Sequence, residues 1–587
     1  MSNVAGKAYG MNVITPMKPW KTWINTLIFR VGRLTPDTLA GLLGLSLIHF
    51  ARWVMIRRDQ WPDLGQGPQS QLQNDYMLFC SNFNGTWDQY IDAFSDGIPN
   101  GLDLFWYSST GYPHSVPITP FKDYILHNQI DTSYYYDATP GSAQRDIKAA
   151  LRVLPVLREL SLGHGRQSPT EFATSWRHAL IQLQNDLGTP GYAPVASNDT
   201  READWNREQA VHRAICERES RPVDVIPPCK PAPSRSPRAE TTTSYDGGHY
   251  FLTLLIPVQN QALVRHYGIE CSAVQRLRDV LATLPTALQS KATEAIGLNS
   301  PFARTRRTHL ARLAVINDVQ YNGREGEDAI LGAIRKTSLT APQHQDRLSC
   351  PFLLFSADFD AADGSIAAVR GYLTELWLSM EPELRAVLEN CYGYERIRDA
   401  TTFCDYMMAC EIETTMPFND YWPGPPPLAN RIREAILMPV ILLLAAIGPA
   451  VLGLIACAVG LLAGMLGFLS PVAAFLGGLF GCFGWWVAAP LAVIGSGVAL
   501  YWGVKRTLSV GGQPFPAAPN SDLRSVLKAL YLQQQLVRFA IDAQADDEAS
   551  LYARYGEFLK RHRPSDLDEP TQPPGVVRSP TAAGVQP

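Results

Sequence analysis

The sequence predicts an α+β protein that contains an internal duplication. The segment IHFARWVMI at 48–56 recurs as THLARLAVI at 308–316, and LFCSNFN at 78–84 recurs as LFSADFD at 354–360. In each copy, strand-like and helix-like runs follow one another in the order strand, helix, strand, strand, helix, strand. This is the order of a ferredoxin-like βαββαβ module. We therefore expect two tandem modules that pack as a pseudo-twofold pair.

The first module is expected at 9–160. Its most specific local signal is the sequence T-W-D-Q at 86–89, a capping box in which Thr86 and Gln89 satisfy each other's backbone amides at the start of a helix. The run Leu102–Tyr107 is predicted to be the closing strand of the module. Two further helices are expected before residue 160.

A connecting segment and the second module follow. Residues 161–248 are expected to form one helix and then a disordered linker, because the composition becomes rich in Pro, Arg and Ser. The second module is expected at 249–427, where a proline-rich run ends it.

An apolar block then predicts a membrane anchor. Residues 435–504 contain no charged side chain, which is enough for two helices of about 20 residues each. We expect a transmembrane hairpin at 432–506, with helices at 436–467 and 472–501. Lys and Arg flank both ends, which predicts an inner-membrane protein, with the lipid bilayer as partner and the modules facing the cytoplasm. Beyond it, the sequence predicts C-terminal helices at 520–562 and a disordered tail at 563–587.

Composition excludes several classes of site. The formal net charge is −4 and there is no basic stripe, so a nucleic-acid partner is not expected. The ten cysteines are scattered without a C-x-x-C motif or a paired histidine spacing. Spacing along the chain therefore predicts no metal site and no disulfide scaffold.

The duplication itself selects the candidate site residues, because the two copies of the central strand share a histidine and an arginine. A substrate-binding or catalytic interpretation places one of them in a cleft between two packed sheets. The alternative makes each histidine a hydrogen-bonded core residue and each arginine the partner of a polar residue on the neighbouring strand. The candidates are His309, Arg312, Asp358, His49, Arg52 and Asn82.

Two motifs also carry a resemblance. The strand H-F-A-R-W at 49–53 and the turn S-N-F-N-G-T-W at 81–87 resemble those of a group of uncharacterised bacterial proteins, which have H-F-A-R-W and S-N-F-D-G-S-W. The resemblance covers 9–160 and, more weakly, 249–420, and it implies no activity.

More remotely, tandem ferredoxin-like modules resemble the dimeric α+β barrel superfamily, which includes haem-dependent dye-decolourising peroxidases. Those peroxidases have a G-x-x-D-G motif followed later by the haem-binding histidine. Here the nearest match, D-A-A-D-G at 360–364, lacks the first glycine, and His562 is the only histidine beyond it. A conventional haem site is therefore not expected, and the cofactor stays unknown.

Two functions are compatible with these features. In the first, the cleft between the modules binds a small or lipid-derived molecule, and the chain is an oxidoreductase. In the second, the chain is a non-catalytic, membrane-tethered scaffold or sensor whose second module only completes the fold. The sequence does not decide whether the protein is an enzyme.

Overall fold

The computed structural model describes most of the chain, in two compact units. The described residues are 8–35, 47–187, 242–260, 263–285, 299–323, 340–435, 437–445 and 482–576, with single positions 333, 334, 336, 338 and 447. The first unit comprises 1–22, 41–426 and 514–587, and the second comprises 23–40 and 427–513. The protein is α+β, and both large sheets belong to the first unit.

The first sheet has five strands, all paired antiparallel. They are β1 (Ala8–Met17), β2 (Ile48–Ile56), β3 (Asp75–Asn84), β4 (Gln129–Ile130) and β12 (Met416–Asn419), in the order β12-β2-β3-β1-β4. The strand β1 lies between β3 and β4, which gives the split βαβ arrangement of a ferredoxin-like module.

The second sheet repeats this plan in its central strands, but the edge strand at the position of β4 comes before the central strands in the chain. It contains β5 (Tyr134–Asp137), β6 (Tyr245–Asp246), β7 (His249–Pro257), β10 (Thr308–Ile316) and β11 (Phe352–Asp360), in the order β5-β10-β11-β7-β6. A separate ribbon pairs β8 (Leu263–His266) with β9 (Ile269–Ser272).

The two repeats exchange one strand each. The strand β5 comes from the first repeat but pairs with β10 of the second, and β12 comes from the second but pairs with β2 of the first. The two strands start 282 residues apart, at 134 and 416, which is the offset that relates this part of the repeats. Each sheet is therefore completed by the other repeat, and the duplication is structurally reciprocal.

The core lies between the two sheets and on their outer faces. Every residue of β2 and β10 is buried, because one face of each strand packs on the opposite sheet and the other is covered. The core between the sheets includes Ile14, Val54 and Leu78 from the first sheet and Leu255, Ala314 and Leu354 from the second.

The part of the chain that the structure describes contains twelve α-helices with defined ends. They are α1 (Pro19–Leu34), α2 (Trp87–Gly97), α3 (Pro99–Trp106), α4 (Ile118–Asn128), α5 (Gln144–His164), α6 (Pro169–Leu183), α7 (Ala273–Thr283), α8 (Ile366–Leu388), α9 (Ala400–Ala409), α10 (Cys482–Gly511), α11 (Leu523–Asp542) and α12 (Glu548–His562).

One element of the first module differs from the prediction. The run Leu102–Tyr107, expected to be the closing strand, lies mostly in helix α3, which begins with Pro99 at its first position. The position of the closing strand is taken by the two-residue β4 after helix α4. The capping box that starts α2 forms as expected, with Gln89 N–H donating to Thr86 Oγ1 at 3.1 Å.

The prediction of a transmembrane hairpin at 432–506 is wrong. Among the described residues, no helix combines the length and the apolar character needed to cross a membrane. The helix α10 continues through Lys505 and Arg506 instead of ending before them. The first predicted span, 436–467, lies mostly outside the described residues. The expected inner-membrane location depended on this hairpin, and the described residues do not support it.

Candidate metal centre

Two arginines connect the sheets at the middle of the interface. Arg52 of β2 donates to Leu252 O and, at 3.2 Å, to Thr253 Oγ1, and its second terminal nitrogen forms an ion pair with Asp358. Both side chains of the pair are almost fully buried. Burial lowers the pKa of Arg52, and the nearby Asp358 opposes that shift.

The second arginine makes the equivalent contacts in the reverse direction. Arg312 of β10 donates to Met11 O at 2.9 Å, to Asn12 Oδ1 at 3.0 Å and to Asn82 Oδ1. Asn82 and Asp358 occupy the same position in the two repeats. The contacts therefore follow the pseudo-twofold relation of the repeats, but only Arg52 meets a carboxylate.

The observed partners of the two arginines differ from the expected ones. The sequence interpretation paired each arginine with a residue on the neighbouring strand of its own sheet. In the structure, the residues directly opposite Arg52 and Arg312 within their sheets are Cys80 and Ser356. The guanidinium groups instead extend to the opposite sheet, where Arg52 reaches Asp358 and Arg312 reaches Asn82.

The two repeats also meet directly between the arginines. The side-chain amide of Asn82 donates to Asp358 Oδ2 at 3.1 Å and to Phe50 O at 3.3 Å, and its oxygen accepts a hydrogen bond from Tyr135 at 3.1 Å. The cluster contains two guanidinium groups and one carboxylate. It connects the sheets and has the contacts of a structural network.

A different group of residues gathers at one end of the second sheet. His249 is the first residue of β7, His309 is the second residue of β10 and Asp360 is the last residue of β11. A bulge between Thr308 and Leu310 redirects the chain at His309. His309 Nε2 lies 2.8 Å from Asp360 Oδ1, and His249 Nδ1 lies 3.2 Å from the same oxygen.

His249 is the least satisfied member of this group. Its side chain is 1% exposed, and its contact with Asp360 lacks the alignment of a hydrogen bond. Neither of its ring nitrogens has a hydrogen-bond partner among the described residues. Burial lowers the pKa of His249, so the imidazole is neutral and offers a lone pair. A buried polar atom without a partner costs free energy. The position of Nδ1 beside Asp360 therefore indicates that it is placed for a ligand.

Asp360 is held on several sides. Its Oδ2 accepts the backbone N–H of Leu523, the first residue of helix α11, at 2.8 Å. Its carbonyl accepts two hydrogen bonds from Arg307, at 3.1 and 2.8 Å. Burial would raise the pKa of Asp360, but His309 and His249 outweigh burial and hold it well below its usual range. The carboxylate is therefore ionised, as a metal ligand must be.

The first repeat contains a related but different group. His49 Nε2 lies 2.8 Å from Asn84 Oδ1, and His49 Nδ1 lies 3.0 Å from the Tyr421 hydroxyl. The same Asn84 oxygen accepts the backbone N–H of Gln144 at 2.8 Å. Burial lowers the pKa of His49 to about 4, so this imidazole is neutral.

The strand register shows what the first repeat lacks. In the second sheet, His249 lies opposite Asp360; in the first sheet, the equivalent pair is Ala8 opposite Asn84. The first repeat thus has one histidine and an amide where the second has two histidines and a carboxylate. Among the residues that the structure describes, a group of metal-ligand type therefore occurs in the second repeat alone.

The group of His249, His309 and Asp360 has the chemistry and spacing of a metal site. One ligand atom from each residue lies within 4.8 Å of the others. Transition metals bind imidazole nitrogen and carboxylate oxygen at about 2.0–2.2 Å, so modest side-chain adjustments would bring all three onto one ion. Two histidines and one carboxylate on one side of an ion form the facial set of non-haem iron sites, which leaves other coordination positions open.

The candidates from the sequence thus separate into three places. Arg52, Arg312, Asn82 and Asp358 form the central network, His49 lies in the first repeat's group, and His309 belongs to the triad. Sequence reasoning missed the other contributors. The residues missed as site members are His249, Asp360, Asn84 and Tyr421.

A signal for Asp360 was present, because the repeat alignment sets it against Asn84 at the end of the same strand. His249 carries no such signal, since only strand pairing brings the first residue of β7 to the last residue of β11. Comparison with known protein families and with characterised proteins gives no match.

Proposed function

We propose that the chain binds a divalent transition-metal ion through His249, His309 and Asp360 and acts as an oxidoreductase on a small molecule that enters between the two repeats. The observation that carries this proposal is the convergence of the three ligand atoms within 4.8 Å. The site is contributed by the second sheet, but Phe50 of the first sheet packs against both imidazoles, at ring-centroid distances of 5.1 and 5.4 Å.

Redox chemistry is favoured by the composition of the ligand set. Structural zinc sites are usually closed by four protein ligands, commonly cysteines. Here three ligands leave room for a small molecule on the ion, as in non-haem iron oxygenases. The side chain of Asp360 is 18% accessible, against 1% for His249 and 3% for His309, so the carboxylate marks the side from which a small molecule would approach.

A non-catalytic role is the second candidate, and one contact favours it. Asp360 accepts the first backbone amide of helix α11, so an ion on its other oxygen would tie three strands to the C-terminal helices. In that case the metal would stabilise the fold, as in a scaffold, or its binding would let the protein respond to metal availability, as in a sensor.

Metal titration tests the proposal. Full-length protein treated with a chelator and then titrated anaerobically with Fe(II), and separately with Zn(II), should bind one ion per chain. His309→Ala and Asp360→Asn should each weaken binding by more than about tenfold. The matched control is His266→Ala, because His266 also contacts a carboxylate, Asp279, at 3.0 Å but belongs to no group of three ligand residues in the described part of the chain.

Equal binding by the wild type and both triad variants would refute the site. If the site does bind metal, reactivity distinguishes the two candidate roles. An oxidoreductase should consume peroxide or dioxygen with the Fe(II)-loaded protein, and His309→Ala should abolish this. A purely structural ion should raise the melting temperature of the wild type without such turnover.

A further inference from the structure

Tyr421 lies between the two histidine groups of the repeats. Its hydroxyl is hydrogen-bonded to His49, and the centroid of its ring is 5.9 Å from the His309 ring and 5.3 Å from the Phe50 ring. The side chain is buried. The phenol thus lies close to a metal ligand and is shielded from water.

The direction of the Tyr421 hydrogen bond can be derived from its neighbours. The backbone N–H of Gln144 donates to Asn84 Oδ1, which identifies that atom as the oxygen of the amide. His49 Nε2 contacts the same oxygen, so Nε2 must carry the hydrogen. In a neutral imidazole, Nδ1 is then the acceptor, and the Tyr421 hydroxyl donates to it.

A phenol that donates to a neutral imidazole is arranged for coupled loss of an electron and a proton. Oxidation of tyrosine makes its hydroxyl strongly acidic, and release of that proton into an apolar interior would be costly. The lone pair of His49 Nδ1, 3.0 Å away, removes this cost because the proton needs to move only along the existing hydrogen bond.

We propose that Tyr421 is a one-electron donor to the metal centre and that His49 receives its proton. This inference rests on the proposed metal site. The oxidant is a peroxide, which becomes two molecules of water by taking up two electrons and two solvent protons. One electron comes from Fe(II), which becomes Fe(III), and the other comes from Tyr421. The O–H bond of Tyr421 breaks, its proton forms a new N–H bond on His49, and a neutral tyrosyl radical remains.

The cycle closes when a reducing substrate returns two electrons, one to the Tyr421 radical and one to Fe(III). The proton then moves back from His49 to the phenoxyl oxygen. Tyr421 would be a catalytic residue of the oxidoreductase, and His49 a positioning residue that keeps the proton within reach. This assigns a task to the histidine of the first repeat, which lacks the partners for metal binding.

Electron paramagnetic resonance tests the inference. Full-length protein loaded with Fe(II) is mixed with hydrogen peroxide, and the reaction is stopped by rapid freezing. The wild type should give a tyrosyl radical signal that narrows when tyrosine deuterated at its β carbon is incorporated. Tyr421→Phe should lose the signal while it still binds one Fe(II) per chain. Tyr135→Phe is the matched control, because Tyr135 is partly buried in the same interface but donates to Asn82 instead of an imidazole.

The role of His49 has its own readout. In His49→Gln, the radical should decay faster or fail to form, and its high-field spectrum should shift because the charged hydrogen-bond donor is gone. A purely structural role would leave that spectrum unchanged. If the wild type binds Fe(II) but forms no protein radical, or if Tyr421→Phe keeps the signal, the inference is wrong and the metal site stands. Failure to bind Fe(II) at all would instead refute the proposed function.

Discussion

The two repeats share a scaffold but differ in the chemistry placed on it. In both, the histidine of the central strand contacts the residue that ends the next strand, and that residue accepts the first backbone amide of a helix. The first repeat uses Asn84 and Gln144 for this purpose, and the second uses Asp360 and Leu523. Replacing the amide by a carboxylate and adding His249 turns a hydrogen-bonded histidine into a candidate metal ligand.

The middle of the interface shows why the repeats cannot be identical. Asn82 and Asp358 are equivalent positions, and they meet each other at 3.1 Å. Two carboxylates at this distance would repel, and two amides would leave Arg52 without a counter-charge. One amide and one carboxylate form a hydrogen bond and an ion pair together. Contact across the pseudo-twofold relation therefore favours divergence of the copies at this position.

The largest expected effect is the loss of stability when Arg52 is removed, compared with the loss when Arg312 is removed. Arg52→Ala leaves Asp358 as a buried carboxylate without its cation and should lower the free energy of unfolding by about 3–5 kcal/mol. Arg312→Ala leaves only neutral acceptors, such as Asn82 and the carbonyl of Met11, and should cost about 1–3 kcal/mol. Chemical denaturation of the purified variants measures both values.

Arg370→Ala is the control for loss of an arginine, because its ion pair with Asp405 is exposed and should contribute less than about 1 kcal/mol. Equal losses for Arg52→Ala and Arg312→Ala would contradict the assigned asymmetry of the interface. A loss as small as that of the control, for either buried arginine, would contradict the structural role of that arginine.

A smaller effect is expected from making the interface symmetric. Asn82→Asp removes the amide that donates to Asp358 and puts two carboxylates in its place. The new carboxylate would give Arg312 a counter-charge. At neutral pH, however, it would face the carboxylate of Asp358 with no proton to form a hydrogen bond between their oxygens. We expect a loss of roughly 1–3 kcal/mol in the free energy of unfolding at neutral pH.

The loss of stability caused by Asn82→Asp should depend on pH. A proton shared between the two carboxylates raises the folded-state pKa of the pair above its unfolded value. The stabilisation from that proton is fully present below the unfolded pKa, at about pH 4, and is lost as the pH rises through the folded pKa. The gap between Asn82→Asp and the wild type should therefore widen from acidic to neutral pH. A gap that narrows over this range would show that the carboxylates do not share a proton.

The sequence predicts the repeated strands but not the contacts between the repeats. The strands at 48–56 and 308–316 and the capping box at 86–89 are local or periodic signals, and the structure has them where expected. The exchanged strand Tyr134–Asp137 has only four residues, and its partner lies in the other repeat. Such long-range pairing leaves no local pattern.

The same limit applies to the site. His309 could be chosen from the sequence because the repeat displays it, whereas His249 begins a strand as an ordinary polar residue. His249 becomes a candidate ligand only because β7 pairs with β11, which places it opposite Asp360. The bulge in β10 turns the side chain of His309 toward the same carboxylate. The transmembrane prediction for the apolar block rested on composition, whereas the bounds of helix α10, which continues through Lys505 and Arg506, appear only in the structure.

The comparison of the repeats can be tested most directly by giving the first one the ligands of the second. The backbone of Ala8 lies opposite Asn84, as His249 lies opposite Asp360, and His49 already contacts residue 84. Ala8→His with Asn84→Asp should create a second triad and raise the Fe(II) content from one ion per chain to two, with little change in stability. Asn84→Asp alone is the control and should stay at one, because it supplies no second histidine. A folded double variant that still binds one ion would mean that ligand identity alone does not distinguish the two repeats.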